Sequence, residues 1–182
     1  MQIPQPLDPV EAVQAAFPEA LHDVNVFRGE TTLIVAPEQV VNVCRYLRDT
    51  GGLIYNYLSD ISAVDYYEPG GTIGGRPARF GISYHLYSML YNRRLRVKVY
   101  LEEDDPTVKT VTTIWPGANW LEREVMDMMG VTFEGHPDPR RLLMPEDWNG
   151  YPHRRDYPLG YETIQFSFNA EEIMKHKPSA KE

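Results

Sequence analysis

Five prolines crowd the stretch between positions 137 and 158: Pro137, Pro139, Pro145, Pro152 and Pro158. They limit what this chain can fold into more than any other feature. Proline fixes its own φ and donates no backbone N–H, so neither a helix nor a central strand can run through such a stretch. With Gly135, Gly150 and Gly160 interspersed, residues 134–161 show little hydrophobic period. Yet the stretch keeps Leu142, Leu143, Met144, Trp148, Tyr151, Tyr157 and Tyr161, which sets it apart from an ordinary disordered linker. A long irregular segment of this kind is usually functional or lies against something else. It is expected to be a docking arm that cannot bury its own apolar groups and takes its order from a companion polypeptide. Residues 134–182 thus read as an extended arm, ending in a frayed polar tail at 174–182.

The preceding 133 residues carry regular periods. Asp8 before Pro9 is a helix start, with Val10, Val13 and Phe17 on one face and Pro18 as the stop. Two β-rich runs, 22–27 and 31–35, flank a hairpin turn at Arg28-Gly29-Glu30. Pro37 opens a second helix through Val40, Val41, Cys44 and Leu47, closed by Gly51-Gly52. Three strands follow at 53–67, 80–91 and 95–101, the last with Leu95, Val97, Val99 and Leu101 on one face. Residues 69–77, with four glycines, read as a flexible connection. Asp105-Pro106 predicts a short helical stretch. Asn119 and Glu122 predict a capping box opening a helix over 119–129, with Gly130 as its left-handed stop. The fold class expected is α+β: a mixed, mainly antiparallel sheet with helices packed on it (1–133), followed by the extended C-terminal arm (134–182).

Composition removes several classes of function. Hydrophobic residues make up 42% and charged residues 24%, ordinary for a globular domain. A net charge of −8 disfavours nucleic acid, whose phosphates demand a basic surface, and anionic lipid equally. No run approaches the roughly 20 apolar residues of a membrane span, and the N-terminus lacks the basic and apolar regions of a signal peptide. Attachment to a membrane would have to come through a partner. Cys44 is the single cysteine, whereas iron–sulfur clusters need about four thiolates. Any electron transfer is therefore expected to pass through other chains, with Cys44 as core packing.

Candidate chemistry is sparse. Glu124 and Asp127 share a helix face and could pair as carboxylates. The structural alternative is Glu122 as a cap and Arg123 with Asp127 as an i, i+4 ion pair, over a buried stripe of Leu121, Val125 and Met128. His136 and His153, near Asp138, Asp147 and Asp156, raise the thought of a metal-dependent hydrolase, but their spacing fits no ligand pattern. Arg140-Arg141 and Arg154-Arg155 beside Trp148, Tyr151 and Tyr157 read as an interface, because arginine forks and aromatics are enriched there. The glycines at 70, 71, 74 and 75 form no phosphate loop.

Residues 120–158 resemble a known family. Glu122-Arg123-Glu124, two residues, Asp127, two hydrophobics, six residues, His136, three residues, Arg140 and then Leu142-Leu143 is similar to the signature of the complex I thirty-kilodalton subunit family. Leu143-Met144-Pro145-Glu146-Asp147-Trp148 and Arg154-Arg155-Asp156-Tyr157-Pro158 resemble its further hallmark stretch. The resemblance implies a non-redox subunit of the peripheral arm of a respiratory NADH:quinone oxidoreductase. Such a subunit would sit on the cytoplasmic face of the cell membrane, packed on the forty-nine-kilodalton-type (49 kDa-type) subunit and its cluster-bearing neighbours. FMN and iron–sulfur clusters would reside in those partners, with none in this chain. Glu122, Arg123, Glu124 and Asp127 would fix the helix leading into the arm. His136, Arg140, Arg141, Trp148, Arg154, Arg155, Asp156 and Tyr157 would belong to the stretch that clamps the neighbour. Membrane-bound hydrogenases and the photosynthetic NDH complex carry a similar signature and stand as alternatives.

Overall fold

A computed structural model describes residues 4–68 and 73–158 of the chain. The tail at 174–182, Tyr161 and the centre of the glycine-rich connection lie outside the described residues. Helix α1 (Pro9–Ala16) begins as Asp8 predicts, the carboxylate accepting from the N–H groups of Val10 (2.8 Å) and Glu11 (3.1 Å). Strands β1 (Leu21–Phe27) and β2 (Glu30–Val35) form an antiparallel hairpin. Its two-residue turn places Arg28 at φ 51° and Gly29 at φ 79°, the pair of positive angles that a tight hairpin needs to follow the strand twist. A 3₁₀ turn at Pro37–Gln39 runs into α2 (Val40–Asp49), which buries Val40, Val43, Cys44 and Leu47.

Strands β3 (Tyr57–Asp65), β4 (Phe80–Ser88) and β5 (Arg93–Leu101) form an antiparallel meander, and β5 inserts beside β2 in parallel. The five-stranded order is β1-β2-β5-β4-β3. This is the expected α+β fold with a mixed, mainly antiparallel sheet. Phe80, Ile82, Tyr84 and Leu86 of β4 and Leu95, Val97, Val99 and Leu101 of β5 face one way and pack with α1 and α2. The alternate positions, among them His85, Tyr87, Arg94, Arg96 and Lys98, line the other face.

Two expectations fail here. Residues after Pro106 are not helical: Thr107–Lys109 is a strand, β6, paired in parallel with β7 (Thr132–Glu134). Asp-Pro is a local start signal, but Val108 is buried opposite Phe133 and the tertiary pairing prevails. Helix α3 spans Ala118–Met129, with Gly117 at the cap position and no side-chain cap. Asn119 lies inside its first turn, so the capping box does not form. Gly130 does close the helix, at φ 72°.

Candidate functional site

Helix α3 lies against β3 at the edge of the sheet, and residues 134–158 pass over it without regular structure beyond β7. Four buried or half-buried ionic groups decide that path. Asp127, 1% exposed, is the central one. Its Oδ2 accepts from three successive backbone N–H groups, Leu142 (3.0 Å), Leu143 (2.7 Å) and Met144 (2.9 Å). Its Oδ1 accepts from Arg141 Nη1 at 2.6 Å. Burial alone would raise this carboxyl, but the N–H donors of Met144 and Leu143, the Arg141 guanidinium and the Leu142 N–H outweigh it and hold it below the usual value.

Arg123 is buried as well. It donates to the carbonyls of Arg140 (3.0 Å) and Arg141 (3.1 Å) and lies 3.4 Å from the Asp138 carboxylate. Arg123 and Asp127 therefore do not pair with each other. Each faces the incoming segment, because an acceptor-only and a donor-only side chain can satisfy its N–H groups and carbonyls separately. Arg123 also carries the Trp120 ring, at 5.1 Å.

A second anchor joins the segment to the sheet. Arg79, 2% exposed, donates to Asp65 (2.8 and 3.0 Å), to Asp156 (2.8 Å) and to Glu103. Asp65 Oδ2 also accepts the Arg155 N–H at 2.9 Å. Arg154 donates to the Met129 carbonyl at 2.7 Å and lies over the rings of Phe80 (5.0 Å) and Tyr151 (4.6 Å). Sequence reasoning missed Asp65 and Arg79. Ionic residues bordering apolar strands were the one available signal, since such groups are buried only when paired.

Glu122 does not act as the expected helix cap. It is fully buried, its Oε1 accepting the Val111 N–H at 2.7 Å and its Oε2 the Thr110 hydroxyl. Burial pushes its carboxyl up to about 7, although Thr110 and Val111 oppose the rise. His136 Nε2 lies 3.8 Å away, but its proton goes to the Asn119 carbonyl (3.1 Å), since Nδ1 already accepts from the Asp138 N–H (3.0 Å). That tautomer is neutral, so Glu122 faces a dipole and no cation. The stripe expected from Leu121, Val125 and Met128 is thus shared with Glu122, Arg123 and Asp127, while Leu121 is only half-buried.

The expectation that this stretch finds its path only through a companion does not hold for residues 134–158, which are tied to their own domain. Several side chains near this path nevertheless point away from the domain. Leu143 is 58% exposed, Trp120 60% and Arg140 71%, the last paired with Asp138. Glu124 and Arg155 are exposed too, whereas Arg141, Trp148, Arg154 and Tyr157 are half-buried. Arg141 spends its donors on Asp127 and on the carbonyls of Trp148 and Gly150. Asp156 is partly exposed behind its bond to Arg79. His136 and His153 serve different places, and among the described residues no group of three or more His, Cys, Asp and Glu could hold a metal ion. No helix of the described residues is long and apolar enough to cross a membrane.

The family described as "Respiratory-chain NADH dehydrogenase, 30 Kd subunit" matches residues 33–163. The C-type subunit of NADH-quinone oxidoreductase from Roseiflexus sp. (strain RS-1) is 45% identical over 173 residues, 95% of each chain. Its counterpart from Geobacter sulfurreducens is 48% identical over 143 residues, 79% of this chain and 83% of its own. A solved structure, Nqo5 of the trypsin-resistant fragment (1-134), superposes with a TM-score of 0.61 at 32% identity, covering 72% of this chain and 99% of that one. A chain of the membrane-bound sulfane sulfur reductase, an archaeal respiratory membrane complex, gives 0.58 at 24% identity over 93% of this chain and 89% of its own. The last likeness concerns the fold alone.

Proposed function

The chain belongs to the respiratory-chain NADH dehydrogenase 30 kDa subunit family, and from that membership we propose that it is a non-redox structural subunit of the peripheral arm of a proton-translocating complex I. It docks on the forty-nine-kilodalton-type subunit and on cluster-bearing neighbours at the cytoplasmic face of the membrane. FMN and iron–sulfur clusters reside in those partners. The chain contributes no catalytic group, and its role is to hold its neighbours in register.

One observation carries this reading. Asp127, Arg123, Asp65 and Arg79 fix the segment after α3 from behind, so that Leu143, Arg140 and Arg155 face outward on a pre-set backbone beside the exposed Trp120 of α3. A surface ordered before contact loses little entropy on binding, which suits a subunit that joins a permanent complex. Exposed Trp and Arg beside an aliphatic side chain are the residue types that anchor protein interfaces. The single cysteine accords with redox centres held elsewhere.

The test is co-purification from gently solubilised membranes, with the retained subunits identified. Trp120→Ala with Leu143→Ala should cut retention of the chain by about tenfold or more, since an interface anchor can be worth about 2 kcal/mol. The melting temperature of the isolated chain should stay close to that of the wild type. Retention equal to wild type would remove the assignment of this surface.

A further inference from the structure

Beside that surface lies a notch of about 200 Å³, cut between the edge strand β3 and helix α3. Asp60 and Ile61 line it from β3, Glu124, Val125 and Met128 from α3, and His153 from the segment above. Its size suits one long side chain. We infer that it receives a cationic side chain, lysine or arginine, from a partner subunit. The inference rests on the reading of the chain as a subunit of a larger complex.

Charge is the first reason. Asp60 and Glu124 are both exposed, and among the described residues neither carboxylate accepts a hydrogen bond or joins an ion pair. Four other acidic groups on α3 and the segment after it are committed: Glu122 to Thr110 and Val111, Asp127 to Arg141 and three N–H groups, Asp138 to Arg140, and Asp156 to Arg79. Arg123, one position before Glu124, turns inward to the carbonyls of Arg140 and Arg141. Burial first, and Arg96 second, lower the pKa of the neighbouring His85 against the opposing pull of Asp60 and Glu30, which favours its neutral form. Two acidic groups therefore border an open cavity with no arginine or lysine among its walls.

Shape is the second reason. The apolar walls, Ile61, Val125 and Met128, match the hydrocarbon stem of lysine or arginine, and the carboxylates match its head. β3 ends the sheet, so its outer edge can guide a partner's backbone alongside. The same Asp60 also borders a cavity of about 530 Å³ on the neighbouring sheet face, with Tyr57, His85, Tyr87 and Arg94. A partner seated at the notch thus has a continuous surface to cover.

The experiment compares the wild-type chain with Asp60→Asn/Glu124→Gln in membranes, measuring how much stays with the complex through washes of rising salt. Neutralising both acids should lower retention about tenfold at low salt and flatten the salt dependence, because a partly desolvated charge pair is lost. The melting temperature of the isolated variant should not move, since exposed unpaired acids hold nothing in the fold. Glu124→Gln alone, on an exposed helix position, should give an effect of about threefold and keeps the test decisive if Asp60→Asn disturbs β3. A double variant retained like wild type at every salt overturns the notch and leaves the subunit reading standing. Failure of the wild-type chain itself to co-purify overturns both.

Discussion

Replacing Asp127 by alanine should release residues 142–144 from the domain while leaving the sheet intact. The carboxylate takes four hydrogen bonds, at 2.6, 2.7, 2.9 and 3.0 Å. Bonds to an ionised acceptor contribute about 1.5–3 kcal/mol each, so the gross loss is large. Two terms reduce it. Leu143 is exposed and Leu142 and Met144 are half-buried, so their freed N–H groups reach water. Arg141 keeps its bonds to the carbonyls of Trp148 and Gly150. A net local cost of about 3 kcal/mol results, the low end for breaking a buried ion pair. Hydrogen exchange at the amides of Leu142, Leu143 and Met144 should then quicken about a hundredfold, at 1.4 kcal/mol per factor of ten. The amides of β4 provide the internal reference. Unchanged exchange at 142–144 in Asp127→Ala would refute the claim that one carboxylate sets this path. Acid gives a second arm. Because the folded-state pKa lies below the unfolded value of about 3.8, the stabilisation is complete above that value and disappears only as pH falls through the lower, folded one.

Glu122 should behave in the opposite sense. Its pKa is raised from 4.5 to about 7, so its protonated form favours the fold, and stability should fall as pH rises from about 4.5 to 7. Glu122→Gln should remove that slope in urea titrations and leave the variant about 3 kcal/mol more stable than wild type at pH 8, from 1.36 kcal/mol per pKa unit. A wild-type pH slope surviving in the variant would contradict this. Gly130→Ala meets two obstacles, a φ of 72° and a Cβ that would lie 2.5 Å from Tyr151 Cε2 and 2.7 Å from Arg154 Nη2. A loss of about 2 kcal/mol or more in thermal unfolding is expected, together with faster exchange at 151–154.

Much of the fold was legible because local signals and tertiary contacts agree. The Asp8-Pro9 start, the turn at Arg28-Gly29, the alternation in β4 and β5 and the stop at Gly130 all rest on backbone geometry within a few residues. Thr107–Lys109 was not legible, since a three-residue strand is defined by a partner more than twenty positions away. The family resemblance singled out Glu122, Arg123, Asp127, Arg141, Arg154 and Asp156, and the structure gives them separate partners within the domain. It assigned several of them outward, to a neighbour. Spacing alone treats a charged residue as a solvated one, so nothing in it distinguishes Glu124, which is exposed, from Glu122, which is not.

By itself, then, the order of residues determined the helix and strand periods, the proline-bound irregularity after Glu134 and the membership of the family. What the three-dimensional arrangement decided is where each ionic group spends its charge. Burial beside backbone N–H groups turns Asp127 into an organiser of its own chain, and burial without a cation turns Glu122 into a weak acid. Solvation and the nearest oppositely charged group fix those outcomes, and both come from residues remote in sequence.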